Sequence, residues 1–315
     1  MLSPDEAGQP ATDSPLEEEL TKVSTETSSD AENLNYIADK VANRQCILFL
    51  GSAIHAPSTN PRYQYSKAES PPIGSELSEH LALKGTYPDG DYWNLQRVSQ
   101  HYESKFKSRF RLVEEIESVV HRGRKPSPVL RALAKLNFPL VITTNYDQLY
   151  ETALGKRSEE YTVSIYSPSS KKETRDCQAK PDPNHPYILK IHGDISVPGS
   201  IVITDEDYIH FVLRMGDTEP YHPVGPNVLT YLGKWPTLFI GYSLRDYNFR
   251  VLFRTIRWQL DPGQIPPNYA VDHEPDELIR DVYETQRRHV TFIVEDVWKF
   301  VPKLYQAVTK EEMPQ

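Results

Sequence analysis

The chain has 315 residues, with 44 acidic against 35 basic side chains and a mean hydropathy of −0.57, which suits one large α/β domain or two modest ones. Residues 1–30 carry eight acids and one base, hence −7 of the net −9, so the rest is close to neutral and a strongly basic polyanion-binding body is disfavoured. Two cysteines, Cys46 and Cys177, cannot build a disulfide framework or a four-cysteine zinc site, and with no membrane-length apolar run and no basic–apolar leader the expectation is a cytoplasmic protein without a membrane partner.

Residues 1–31 are rich in Ser, Thr, Pro and Glu and bury too little to offset their ordering entropy, so a disordered acidic tail is expected there. Order should begin near Leu34–Val41, where Leu34, Ile37, Ala38 and Val41 recur at helical spacing. Short apolar runs then punctuate the chain at Ile47–Leu50, Leu140–Thr143, Tyr187–Ile191, Ile201–Ile203, Thr237–Gly241, Tyr269–Val271 and Val290–Val294. Such runs alternating with amphipathic stretches predict a Rossmann-like, mainly parallel sheet with helices on both faces. Between the first and second run lie helical patterns at Ser75–Lys84, Tyr92–Glu103, Arg109–Val120 and Pro128–Leu136, read as a helical insertion over about 74–136. Residues 155–186 and Met215–Pro226 read as loops, and the domain is expected to span 32–308, followed by a short tail at 309–315.

Four strand ends carry chemistry. Ile47-Leu-Phe-Leu-Gly-Ser-Ala-Ile-His55 turns sharply at small residues, either to admit a phosphate or as an ordinary strand-to-helix turn. It matches a dinucleotide fingerprint only at Gly51, and the nearest acid downstream is Glu69. Leu140-Val-Ile-Thr-Thr-Asn-Tyr-Asp147 delivers Thr144, Asn145 and Asp147 at a strand's carboxyl end, where Thr144 or Asn145 serves either a ligand or the cap of a helix starting near Asp147. Tyr187-Ile-Leu-Lys-Ile-His-Gly-Asp194 repeats the arrangement with His192, a base or a structural histidine. Thr237-Leu-Phe-Ile-Gly-Tyr-Ser243 ends in a turn before an amphipathic helix (Phe249, Leu252, Phe253, Ile256), and it lacks the second glycine of a nucleophile elbow.

Gly51-Ser52-Ala53, Thr143-Thr-Asn-Tyr-Asp147, Lys190-Ile-His-Gly193 and Phe239-Ile-Gly-Tyr-Ser243 occur in that order, with Ile203-Thr-Asp-Glu-Asp-Tyr208 between the last two. In combination they resemble the SIR2-like, sirtuin-related family over roughly residues 34–300, nearer to its NAD-hydrolysing effector branch than to the protein deacylases. The resemblance implies NAD as substrate. It assigns Gly51, Ser52 and Ala53 to the phosphates, Asn145 to the attacking water, Asp147 to the nicotinamide carboxamide, His192 to the ribose hydroxyls, and Gly241 and Ser243 to the adenosine side. His55, Thr144 and Gly193 join the cofactor-binding set by their place in the same turns. The phosphate turn departs from the family in carrying Ala53 for glycine and His55 for serine or threonine, and the paired Cys-x-x-Cys motifs of the zinc-bearing deacylases are missing, so no metal is expected.

The activity implied is an NAD glycohydrolase yielding nicotinamide and ADP-ribose, with cyclic ADP-ribose as a variant product, acting as a regulated effector in immune defence. The alternatives are NAD-dependent deacylation and a non-catalytic sensor of NAD or ADP-ribose. A homo-oligomer and an activating sensor protein in trans are expected by the same analogy. Nucleic acid is not: the basic cluster Lys105, Lys107, Arg109, Arg111, His121, Arg122, Arg124 and Lys125 reads as a solvated face.

Overall fold

A computed structural model describes residues 30–88, 90, 92–155, 160–167, 175–215, 222–242, 244, 266–285 and 290–315. All but the last two residues of the expected disordered tail and the helix expected around Phe249–Ile256 therefore lie outside the described residues, as does half of the Met215–Pro226 loop. Residues 30–42 are helical, in line with the apolar spacing at Leu34–Val41.

The sheet contains β1 (Ile47–Leu50), β2 (Leu140–Thr143), β3 (Thr162–Ile165), β4 (Tyr187–Lys190), β5 (Thr237–Ile240), β6 (Asn268–Val271) and β7 (Val290–Ile293) in the order β3-β4-β2-β1-β5-β6-β7. Every pairing is parallel, with Ile47 opposite both Leu140 and Thr237 and Leu140 opposite Tyr187. All residues of β1, β2, β4 and β5 are buried, so these strands are covered on both faces and read as continuous apolar runs rather than alternating ones. Chain direction across the sheet reverses at β1: β2 lies on one side, β5 on the other. Ligands of open α/β sheets bind outside the strands' carboxyl ends at such a switch point.

Between β1 and β2 run α1 (Gly74–Gly85), α2 (Leu95–Phe106), α3 (Arg109–Val120) and α4 (Pro128–Ala134). Asn94, Ser108 and Ser127 cap the last three, each accepting from the backbone N–H three residues on. That cap is why α2 starts at Leu95 rather than at the predicted Tyr92. The first three helices share a core of Leu77, Leu81, Val98, Leu112 and Ile116, joined by Tyr146, Ile195, Ile201 and Ile203. The fourth packs instead on α5 (Leu149–Leu154) and α9 (Val297–Thr309), the latter entered through the Asp296 cap. Three further helices, α6 (Asp205–Met215), α7 (Pro226–Leu232) and α8 (Glu277–Thr285), complete the described set.

Two expectations are corrected. Ile201–Ile203 is extended but is not a strand of the sheet. Ile201 and Ile203 point into the helical core and Val202 into the core beneath the sheet, so the segment alternates like a strand while lying past the end of β4. Its backbone is satisfied otherwise: Val202 N–H donates to the His192 carbonyl at 2.9 Å and Ile203 N–H to Asp207 Oδ2 at 3.0 Å. Conversely, the predicted 155–186 loop contains β3, an edge strand paired only with β4 and buried fully at Ser164 alone, which left it too polar to read as one.

Candidate active site

The site grows from strand ends stitched to one another. Thr143 Oγ1 donates to the Leu50 carbonyl at 3.1 Å and accepts from Asn145 N–H at 3.0 Å, tying the turn after β2 to the end of β1. At the switch point the backbones of the first and fifth strand turns touch. Gly241 has φ +68°, a Cβ built on it would lie 2.3 Å from the Ile54 nitrogen, and one on Gly51 would lie 2.3 Å from the Gly241 carbonyl. Both positions need glycine for packing. Gly193 has φ +86° and leaves no room against the Ser200 carbonyl, which lets the chain fold back beside His192.

Above these ends lies a cavity of about 1230 Å³, larger than the roughly 300–1,000 Å³ usual for small-molecule sites. Of the residues singled out from sequence, Ser52, His55, Thr144, Asn145, Asp147, His192 and Gly241 line it. Gly51, Ala53 and Gly193 stand behind the wall, Ala53 with its N–H spent on the Gly241 carbonyl at 2.9 Å, and Ser243 lies outside the described residues. The roof includes Asp205 and Tyr208, and with them Pro72, Gly74, Trp93 and Leu213, which sequence reasoning missed. Asp205 and Tyr208 belong to the Ile203–Tyr208 motif and were legible through it. Trp93 and Leu213 are largely exposed and carry no motif.

Asn145 Oδ1 is buried and accepts no hydrogen bond among the described residues. Such an orphaned carbonyl in a cavity wall is costly unless a ligand or water meets it. His192, 3% exposed, stands edge-on to Tyr208 and Phe211, with ring centroids 5.2 and 5.3 Å away. Those two rings hold it upright in the wall. Asp147 accepts from Leu149 N–H at 2.8 Å through Oδ1, and its Oδ2 lies 3.4 Å from His55 Nε2. Burial pushes the Asp147 carboxyl up, but His55, Lys190 and the Leu149 N–H together hold it below the usual range. It is thus a carboxylate at neutral pH.

Behind the wall Lys190 is fully buried, donating to the Asp147 carbonyl, contacting Asp194, and lying 3.2 Å from Glu151. Burial alone would lower its pKa, yet Glu151, Asp194 and Asp147 raise it, so the ammonium persists. Glu151 itself is pushed up by burial despite that ammonium. Cys46 and Cys177 are both free and buried, burial pushing the Cys177 thiol up to about 12. Members of the basic cluster are engaged at home: Arg109 with Glu103 at 2.9 Å and Asp207 at 2.8 Å, Arg122 with Glu117 at 3.2 Å, Lys125 with Glu69 at 2.5 Å.

A parallel sheet with a largely apolar cavity at its switch point, into which a few polar groups converge, defines a Rossmann-like α/β protein, the class whose ligands bind at that point. Residues 139–293 match the family model described as the SIR2-like domain, in agreement with the resemblance carried by the motifs after β2, β4 and β5. Curated relatives include the NAD(+) hydrolase ThsA of Acinetobacter baumannii (strain 532279), 23% identical over 298 residues, covering 88% of this chain and 55% of the relative. Defense-associated sirtuin 2 of Bacillus subtilis is 24% identical over 72% of this chain and 20% of its own length. The NAD(+) hydrolase ThsA of Enterococcus faecium is 34% identical over 45% of this chain and 27% of its own length. The chain thus spans about half the length, or less, of these relatives. No helix among the described residues is long and apolar enough to cross a membrane.

Proposed function

We propose that this chain is an NAD glycohydrolase, releasing nicotinamide and ADP-ribose. The observation that carries the reading is the orphaned Asn145 Oδ1 in one cavity with Asp147 and His192. In the proposed reaction the bond between the nicotinamide nitrogen and ribose C1′ breaks, and its electron pair leaves with neutral nicotinamide. Water then bonds to the oxocarbenium-like C1′ and loses a proton to solvent. A leaving group of this kind needs no enzymic nucleophile; it needs both ends of the substrate held, solvent restricted and one water placed. Asn145 Oδ1 accepts from that water, Asp147 receives the carboxamide N–H, and His192 meets the ribose hydroxyls next to the developing positive charge. If the adenine of the same molecule replaces water, the product is cyclic ADP-ribose.

The relatives named NAD(+) hydrolase support this reading, and the one named a defense-associated sirtuin supports a role as an effector. Control by self-association or by an activating protein belongs to the proposal, since unrestrained cleavage would drain the host cell's NAD. Sedimentation with and without NAD reads the first form of control.

The deciding measurement is nicotinamide release from NAD by the wild type beside Asn145→Ala. Release by the wild type and a loss of at least about 100-fold in the variant is expected. Equal turnover by both, or none by the wild type in any assembly state, overturns the reading.

A further inference from the structure

His55 closes the short turn after β1, and its side chain is 1% exposed although it lines the cavity. Neither ring nitrogen makes an aligned hydrogen bond among the described residues. The nearest charged atom recorded is Asp147 Oδ2, 3.4 Å from Nε2, close enough for ion-pair attraction and too long for a firm hydrogen bond. The rest of Asp147 is pinned: Oδ1 by the Leu149 N–H and the backbone carbonyl by Lys190. The carboxylate plane has a broad torsional preference of its own, so its direction is set by what flanks the second oxygen. His55 is that flank.

We infer that His55 is a positioning residue, which aims the Asp147 carboxylate at the substrate's carboxamide and so sets affinity for the nicotinamide end. This rests on the reading of the chain as an NAD glycohydrolase. The reach of His55 toward Asp147 distinguishes it from the other members of the turn, Ser52 and Ala53, which the motif assigns to phosphate. With hydrogen on Nε2, the imidazole attracts one side of Oδ2 across 3.4 Å and leaves the other for an amide N–H. An apolar side chain there would strand a buried carboxylate oxygen, which then turns away or takes a proton and stops accepting.

The test is steady-state NAD cleavage and competitive inhibition by nicotinamide in wild type, His55→Leu, His55→Gln, Asp147→Asn and the double variant His55→Leu/Asp147→Asn. His55→Leu is expected to raise both KM and the nicotinamide inhibition constant about 10- to 100-fold, the span for one hydrogen bond to a charged group, with kcat moved much less. His55→Gln, which keeps an N–H donor, should recover most of that loss. The double variant should be no worse than Asp147→Asn alone, because His55 acts through Asp147. Should His55→Leu fail to fold, His55→Asn, polar but too short to reach Oδ2, takes its place with the same expectation. Unchanged KM and nicotinamide inhibition in an active, folded His55→Leu, or multiplicative losses in the double variant, overturn this inference alone. A wild type that neither binds nor cleaves NAD overturns the functional reading and this inference with it.

Discussion

Lys190 ends β4, next to the edge strand, with no solvent access, one ammonium between two carboxylates and a carbonyl. Removing only the cation leaves two acids buried without compensation, so Lys190→Met is expected to cost about 3–5 kcal/mol in urea unfolding. Adding Glu151→Gln and Asp194→Asn should return part of it. Asp147 makes a second prediction. Its folded pKa is depressed, so its contribution is present above the unfolded value near 3.9 and is lost as pH falls through the folded value. Asp147→Asn should therefore flatten the stability curve below about pH 4 and leave its slope near neutrality alone, as denaturant titrations across pH will show. Lys190 was visible in the sequence only as part of a motif. Its partner Asp194 lies four residues on in the same motif, but Glu151 is 39 residues back, a contact that no local pattern encodes.

Among elements, legibility tracked burial. The strands β1, β2, β4 and β5 are covered on both faces and announced themselves as apolar runs, and because Asn145, Asp147 and His192 follow two of them directly, that half of the site was legible too. The edge strand β3 has one fully buried residue and gave no signal, while Ile201–Ile203 imitated a strand by alternating between two cores. The roof of the cavity was hidden for a different reason. Trp93 and Leu213 lie beside or on amphipathic helices, where an apolar side chain signals packing before it signals a ligand. The turns make a sharp prediction: Gly241→Ala combines a positive φ with a 2.3 Å clash on backbone and should lose about 3 kcal/mol or more in chemical unfolding.

On the scale of the molecule, the C-terminal end closes back on the segment that follows the first turn. Asn60 Nδ2 donates to the Trp298 carbonyl and Trp298 Nε1 to the Ala56 carbonyl, both at 3.2 Å, and Tyr63 and Met313 are each 3% exposed. Ending the chain at Glu311 removes the Met313 side chain, worth about 2 kcal/mol of burial, and should lower Tm by several degrees in a thermal melt. Because Ala56 follows His55 directly, the same truncation should also raise KM for NAD.

The cavity wall contains no Lys or Arg among its described residues, whereas Asp147 and Asp205 belong to it. An anionic dinucleotide approaching such a mouth meets repulsion where many nucleotide enzymes offer attraction. Added salt normally slows the capture of anionic substrates. Here the sign reverses, and raising ionic strength should quicken association until the Debye length, about 10 Å at 0.1 M, is shorter than the approach.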